Sequence, residues 1–300
     1  MIAYNINLNT KSTRLANAIA FDVREKGRIK RKGHPVIGDI VYDKNGNPET
    51  IPGSLKHVKA IGWYIEEFGI TQISMNLTNI TETPIHTVFE EVSKKAQNRG
   101  ARVTGSELVG LIPLNSILDA GKYFLKKQNR SLGIPESDII KIAIESLGLN
   151  QVKDFEPEKN IIEYYLNRIT NKGNKLVDLT VREFSDEVFR ESPAPGGGSV
   201  SSYVGSLGTS LAGMVANLSC NTRGWEDKVD TFSDIAYNIN KIREELLFLV
   251  DEDSNAFNKI MNAYKLPKNN KKESKARLEA INNLSLIHIS EPTRLLSISY

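Results

Sequence analysis

Ser192-Pro193-Ala194-Pro195-Gly196-Gly197-Gly198-Ser199-Val200 opens an uncharged run that lasts to Thr222, and its reading decides how the second half of the chain folds. Two prolines hold the approach extended, and three glycines strip one patch of backbone of side chains. A helix starting at Ser199 would carry free N–H groups at its entry, and with the helix dipole these favour an anion. A plain flexible turn is the alternative reading of the same glycines. Past them, Val200, Val204, Leu207, Leu211, Met214 and Leu218 recur in steps of 4 and 3, with Gly205, Gly208, Ala212 and Gly213 between. Small residues let helices approach closely, so this helix is expected inside a bundle. Ser201, Ser202, Ser206, Thr209, Ser210, Asn217 and Ser219 interrupt the run. It therefore falls short of the roughly 20 predominantly apolar residues of a membrane span, and no membrane partner is expected.

Downstream, a helix is expected from about Phe232 to Tyr264. Leu246, Val250, Phe257, Ile260 and Tyr264 form an apolar stripe on it, and the missing member of the series is Asp253. A carboxylate therefore stands where the pattern asks for a core residue. Taking a carboxyl group out of water favours its protonated form and suits it to proton transfer near neutral pH. A buried acid held by a structural hydrogen bond or a neighbouring helix is the competing reading. Asp251 and Glu252 fall on other faces and read as solvated acids. Upstream, Leu176, Leu179, Val181, Phe184, Val188 and Phe189 mark an amphipathic helix, started by Asp178 or Thr180 and spent by Ser192.

The first half has a different rhythm. Met1 to Asn9 alternates apolar and polar residues as a half-buried strand does. Thr10 is placed to cap a helix carrying Leu15, Ala18, Ile19 and Val23, and residues 27–53 read as a long loop. Lys59–Glu66 and Ile70–Leu77 are strands joined through Glu67-Phe68-Gly69. Thr83-Pro84 opens a helix with Val88, Val92 and Ala96 that Gly100 ends, and Arg102–Ile112 is again a strand. The order strand, helix, strand, strand, helix, strand is the ferredoxin-like split βαβ arrangement. Helical stretches at 115–128 and 136–146 would cover its face or edge, and 156–168 is one more helix. The fold class is thus α+β: a ferredoxin-like domain over residues 1–168, a linker over 169–177, and an incomplete all-α helical-bundle domain over 178–283. A strand opening at Met1 leaves nothing to cover that end, so the natural domain is expected to begin earlier.

Composition bounds the function. Lys+Arg 39 against Asp+Glu 36 gives a net charge of +3, too balanced for a general nucleic-acid binder. Cys220 is the one cysteine, which excludes internal disulfides, and with no charged leader ahead of an apolar core the chain is expected in the cytoplasm. His34, His57 and His86 fit no zinc spacing, so no metal is expected and surface or capping roles are read for them. The basic cluster Arg28, Lys30, Arg31 and Lys32 reads as a solvated loop, with a phosphate or carboxylate contact as the alternative.

Several stretches resemble a known family. Lys59-Ala60-Ile61-Gly62-Trp63-Tyr64, Gln72-Ile73-Ser74-Met75-Asn76-Leu77, His86-Thr87-Val88-Phe89-Glu90-Glu91, Gly105-Ser106-Glu107-Leu108-Val109-Gly110-Leu111-Ile112-Pro113 and Ile161-Ile162-Glu163-Tyr164 resemble the C-terminal subdomain of glutamate formimidoyltransferase. Ala194-Pro195-Gly196-Gly197-Gly198-Ser199, Leu249-Val250-Asp251-Glu252-Asp253 and Lys265-Leu266-Pro267-Lys268 resemble formimidoyltetrahydrofolate cyclodeaminase. The order is that of the fused formimidoyltransferase-cyclodeaminases.

The resemblance implies a folate-dependent reaction pair in histidine breakdown. A formimino group passes from N-formimino-L-glutamate to tetrahydrofolate, the cosubstrate, and is then closed into 5,10-methenyltetrahydrofolate with release of ammonia. It implies Asp253 as catalytic acid/base, Pro195, Gly196, Gly197, Gly198 and Ser199 against folate, and Lys265 as a weaker carboxylate partner. The folate's polyglutamate tail is a partner for basic residues such as those from Arg28 to Lys32. The family's cyclodeaminase is a helical dimer, so a homo-oligomer is expected. The family's N-terminal transferase subdomain, with its catalytic histidine, has no counterpart here, and none of His34, His57 or His86 inherits that role. Residues 33–52 form an insertion, and 284–300, with His288, read as a non-native tail. The chain therefore reads as a fragment of an enzyme, with a non-catalytic folate-binding or oligomerisation module as the competing class.

Overall fold

Ile2, Tyr4, Ile6 and Leu8 are all but inaccessible to solvent, which places one side of the first strand on a core as its alternation predicts. A computed structural model describes residues 1–33, 38–170, 175–267, 270–271, 273–279 and 281–282. The chain divides into two compact units, Met1–Lys172 and Gly173–Tyr300.

In chain order the first unit contains β1 (Ile2–Leu8), α1 (Thr13–Val23), β2 (Arg28–Ile29), β3 (Arg31–Lys32), β4 (Asp39–Ile40), β5 (Thr50–Ile51), β6 (Val58–Ile65) and β7 (Ile70–Leu77). It continues with α2 (Ile85–Asn98), β8 (Val103–Val109), α3 (Leu114–Lys127), α4 (Glu136–Leu147), α5 (Pro157–Asn160) and α6 (Ile162–Thr170). The main sheet runs β6-β7-β1-β8, antiparallel throughout. Counting only these four long strands, the spatial order is 2-3-1-4, the ferredoxin-like arrangement the sequence predicts. β6 and β7 meet in register from Val58↔Leu77 to Ile65↔Ile70, which is the expected hairpin.

One close approach fixes α1 on the sheet. Gly62 lies under it so tightly that a Cβ there would come 2.4 Å from the Ala16 carbonyl carbon and the Asn17 nitrogen. The Asn17 side chain completes the clamp: it donates to the Gly62 carbonyl at 2.8 Å and accepts from the Gly62 N–H at 3.1 Å. Val88, Val92 and Ala96 of α2, Ile117 and Ala120 of α3, and Ala143 and Leu147 of α4 join the same core. Each large aliphatic side chain buried this way stabilises the fold by about 1.5–3 kcal/mol.

Several local expectations are corrected. Ser12, rather than Thr10, caps α1, its hydroxyl accepting from the Leu15 N–H. Within 27–53, expected as a loop, β2 pairs with β5 and β3 with β4. These strands are two residues long, too short to leave an alternating pattern. Arg28 and Arg99 both pair with Asp22, which ties this ribbon to α1 and to the end of α2. The single helix expected over 156–168 is broken at Ile161, which is fully buried and bridges to Ile112. β1 is buried on its polar side too. The Asn7 carbonyl oxygen accepts from the Gln72 amide at 2.7 Å, the Asn7 amide donates to Gln151 at 2.7 Å, and the Asn5 and Gln72 amides both donate to Glu107 at 3.2 Å.

The second unit contains a short 3-10 turn over Leu176–Asp178, α7 (Val181–Phe189), α8 (Gly197–Ser219) and α9 (Val229–Tyr264). Of the two starts the sequence offers, Thr180 rather than Asp178 caps α7, through a reciprocal box with Glu183. α8 and α9 pack antiparallel. A Cβ at Gly205 would meet Leu246, and one at Gly213 would meet Ile239, each at 3.4 Å. The contact runs through the small residues of α8, with Ser199, Ser206 and Ala216 buried. The large stripe faces outward instead: Val204, Leu207, Leu211, Met214 and Leu218 are each 48–62% exposed. Both sides of α8 are apolar, and the small side makes the closer approach to α9. Among the described residues no helix is long and apolar enough to cross a membrane. Residues 171–174 of the expected linker, the Lys268 of the motif, His34, and the tail from 284 with His288 lie outside the described residues.

Candidate active site

α8 begins without a side-chain cap, because Gly196 occupies the capping position and has nothing to offer. The N–H groups of its first turn therefore need acceptors from elsewhere. One comes from α9. Asp253 Oδ2 accepts from the Ser199 N–H at 2.9 Å, so the anion drawn to the helix entry is the chain's own carboxylate. The Ser199 hydroxyl lies 3.1 Å from the same Oδ2, 2.8 Å from the Val250 carbonyl and 3.1 Å from the Ser254 hydroxyl. Ser199 is completely buried.

The glycine before it is obligatory for this pose. A Cβ on Gly198 would stand 2.2 Å from Asp253 Oδ1 and 2.5 Å from its Cγ. Gly197 and Gly198 are exposed on their other side, and a Cβ on Gly197 would meet nothing within 4 Å. Bare backbone thus faces open space directly beside a carboxylate. Among the described residues no hydrogen bond reaches Asp253 Oδ1, and Asp253 has no ion pair. One oxygen is anchored and the other is available, the arrangement a proton-transfer group needs.

Asp253 is half-buried rather than a core residue. The stripe around it grades outward from Val250, fully buried, to Tyr264 at 50% exposure. Asp251, read as a solvated acid, instead accepts from the Leu176 N–H at 2.6 Å and holds the 3-10 turn against α9. Glu252 lies 3.4 Å from the Lys259 ammonium. Lys265, exposed at the C-cap of α9, follows Asp253 by twelve residues, about 18 Å along the axis. Pro195 and Gly196 line the approach to α8, half-buried. Ser254 and the Val250 carbonyl were not legible as site groups, since a serine beside an aspartate carries no distinctive spacing.

The two described histidines do other work. His57 is half-buried, with Nε2 2.9 Å from Glu82. His86 stacks on Tyr123 with ring centroids 4.5 Å apart, and burial holds its pKa below the ordinary imidazole value against the pull of Asp119 and Glu90. Among the described residues no three His, Cys, Asp or Glu side chains gather as metal ligands would.

Residues 3–167 match the formiminotransferase domain family, and residues 180–299 match the formiminotransferase-cyclodeaminase family. The chain belongs to the formiminotransferase domain family. It is 37% identical over 281 residues to a formimidoyltransferase-cyclodeaminase of Gallus gallus, covering 94% of this chain and 48% of that protein. It is 37% identical over 295 residues to the protein of the same name from Dictyostelium discoideum, covering 97% of this chain and 51% of that one. A methenyltetrahydrofolate cyclohydrolase of Methylorubrum extorquens is 34% identical over 105 residues, 34% of this chain and 49% of that protein. The chain thus spans about half the length of the formimidoyltransferase-cyclodeaminases it matches. Within the family match, the Ser199–Asp253 pair lies in the 180–299 segment.

Proposed function

We propose that the protein works in folate-dependent one-carbon transfer. A formimino group passes from N-formimino-L-glutamate to tetrahydrofolate, and the second unit closes it into 5,10-methenyltetrahydrofolate with release of ammonia. The observation that carries this is Asp253 at the entry of α8, anchored through Oδ2 and open at Oδ1, against glycine backbone without side chains.

The chemistry fits that arrangement. In 5-formimidoyltetrahydrofolate protonated on its imino nitrogen, N10 attacks the formimino carbon and forms a C–N bond. The resulting adduct carries a surplus proton on N10 and needs one on the departing amine. Asp253 takes the proton from N10 and delivers it to the amine, the C–N bond to that amine breaks, and ammonia leaves with the methenyl cation formed. The flat pterin lies on Pro195, Gly196, Gly197 and Gly198, where bare backbone permits contact at van der Waals distance. Lys265, about 18 Å away by helical rise, suits the far, carboxylate end of an extended folate.

The protein acts in the cytoplasm as a homo-oligomer. Support for the assembly comes from the apolar stripe of α8, exposed from Val204 to Leu218. Ammonia release from 5-formimidoyltetrahydrofolate by the 300-residue chain is the test. Turnover supports the enzyme. Folate binding without turnover would turn the reading to a non-catalytic folate-binding module.

A further inference from the structure

We propose that the Ser199 hydroxyl is a positioning rotor for Asp253, held at its oxygen by Ser254, and that it makes Oδ1 the oxygen that exchanges the proton. The inference rests on the cyclodeaminase reading and names the groups that make its base work. The argument starts from a hydrogen count. A serine hydroxyl has one hydrogen and can accept in return. Ser199 faces two acceptors, the Val250 carbonyl at 2.8 Å and Asp253 Oδ2 at 3.1 Å, and a third partner, the Ser254 hydroxyl, at 3.1 Å. Its single hydrogen serves one acceptor at a time.

The two states of Asp253 select between them. With the carboxylate charged, Oδ2 is the stronger acceptor, and the hydrogen points there beside the Ser199 N–H. Once Oδ1 has taken a proton, the charge on Oδ2 falls and the hydrogen swings to Val250. Ser254 donates to the Ser199 oxygen in both states. The carboxyl group therefore stays held through a full proton cycle, with Oδ1 facing the reacting nitrogens. Ser199 itself is fully buried and acts only through Asp253.

The test is a set of three variants, Ser199→Ala, Ser254→Ala and the double substitution, compared with the unmodified chain by two readouts. In ammonia release, Ser199→Ala is expected to lower kcat about tenfold, the equivalent of one hydrogen bond to a charged group. KM should stay within about twofold, because no substrate contact is lost. Ser254→Ala should lose less, and the double variant should be no worse than Ser199→Ala, because Ser254 acts through Ser199. The second readout needs no turnover: the amide of residue 199 should exchange with solvent faster in Ser199→Ala, and no faster still in the double variant. Additive losses, or a loss confined to KM, would overturn the proposal. So would an unchanged exchange rate, whether or not the chain turns over. A silent unmodified chain that shows the predicted exchange pattern would overturn the cyclodeaminase reading and leave the rotor standing.

Discussion

Gly198→Ala probes the close approach of Asp253 to the entry of α8. The added Cβ would lie 2.2 Å from Asp253 Oδ1, where ordinary contact begins near 3.4 Å. The carboxylate must retreat by about 1 Å or the first turn of α8 must open. Either movement stretches the 2.9 Å bond from the Ser199 N–H. Overpacking costs about 1–3 kcal/mol and the weakened charged hydrogen bond about 1 more, while alanine in a helix returns about 1. The net expectation is about 1–3 kcal/mol of lost stability, read by urea unfolding. Displacing a catalytic group by about 1 Å also costs on the order of 100-fold in rate. Gly208→Ala is the control: it sits on the same helix with nothing within 4 Å of its would-be Cβ. It should gain about 0.5–1 kcal/mol and leave ammonia release unchanged. A Gly198→Ala chain that is as stable and as active as the unmodified one would refute the contact and the role built on it.

Two further expectations concern the first unit. Asp22→Ala removes a carboxylate that is only 10% exposed and that both Arg28 and Arg99 pair with, and it should cost about 2 kcal/mol in urea unfolding; a loss below a few tenths would mean the two pairs are solvent-screened. For His86, burial lowers the folded-state pKa below the ordinary 6.5, so the unfolded chain binds the proton first. Its contribution to stability is complete above pH 6.5 and is lost as the pH falls below it. His86→Phe keeps the stack on Tyr123 without the titration and should flatten that stretch of the stability curve; identical curves would remove His86 as the cause.

The four long strands were legible because each is bounded by a turn or cap, β1 carries period-two alternation, and the hairpin at Glu67-Phe68-Gly69 fixed the central pairing. β1 shows where that logic stops. Asn5 and Asn7 alternate as solvent-facing residues would, yet both are buried, because Gln72, Glu107 and Gln151 supply partners from distant parts of the sequence. Which face of α8 meets α9 was left open for a related reason. When one side of a helix carries large apolar residues and the other carries small ones, hydrophobicity alone does not choose the contact, and closeness of approach to α9 decided it. Asp253 stood out as a carboxylate in an apolar stripe, and the glycines stood out as a helix entry. Their meeting was not legible, since nothing in either stretch says that one caps the other. Ser254 became visible only through its distance to Ser199.

Asp253→Asn is the most direct test of the account. Asparagine keeps the size of the side chain and an oxygen to accept from Ser199, so the fold should hold, and amide exchange at Ser199 would confirm it. It cannot carry the proton between N10 and the departing amine. Ammonia release from 5-formimidoyltetrahydrofolate is expected to fall by about 10²–10⁴-fold, mostly in kcat. Equal turnover by the two chains would contradict Asp253 as the proton-transfer group.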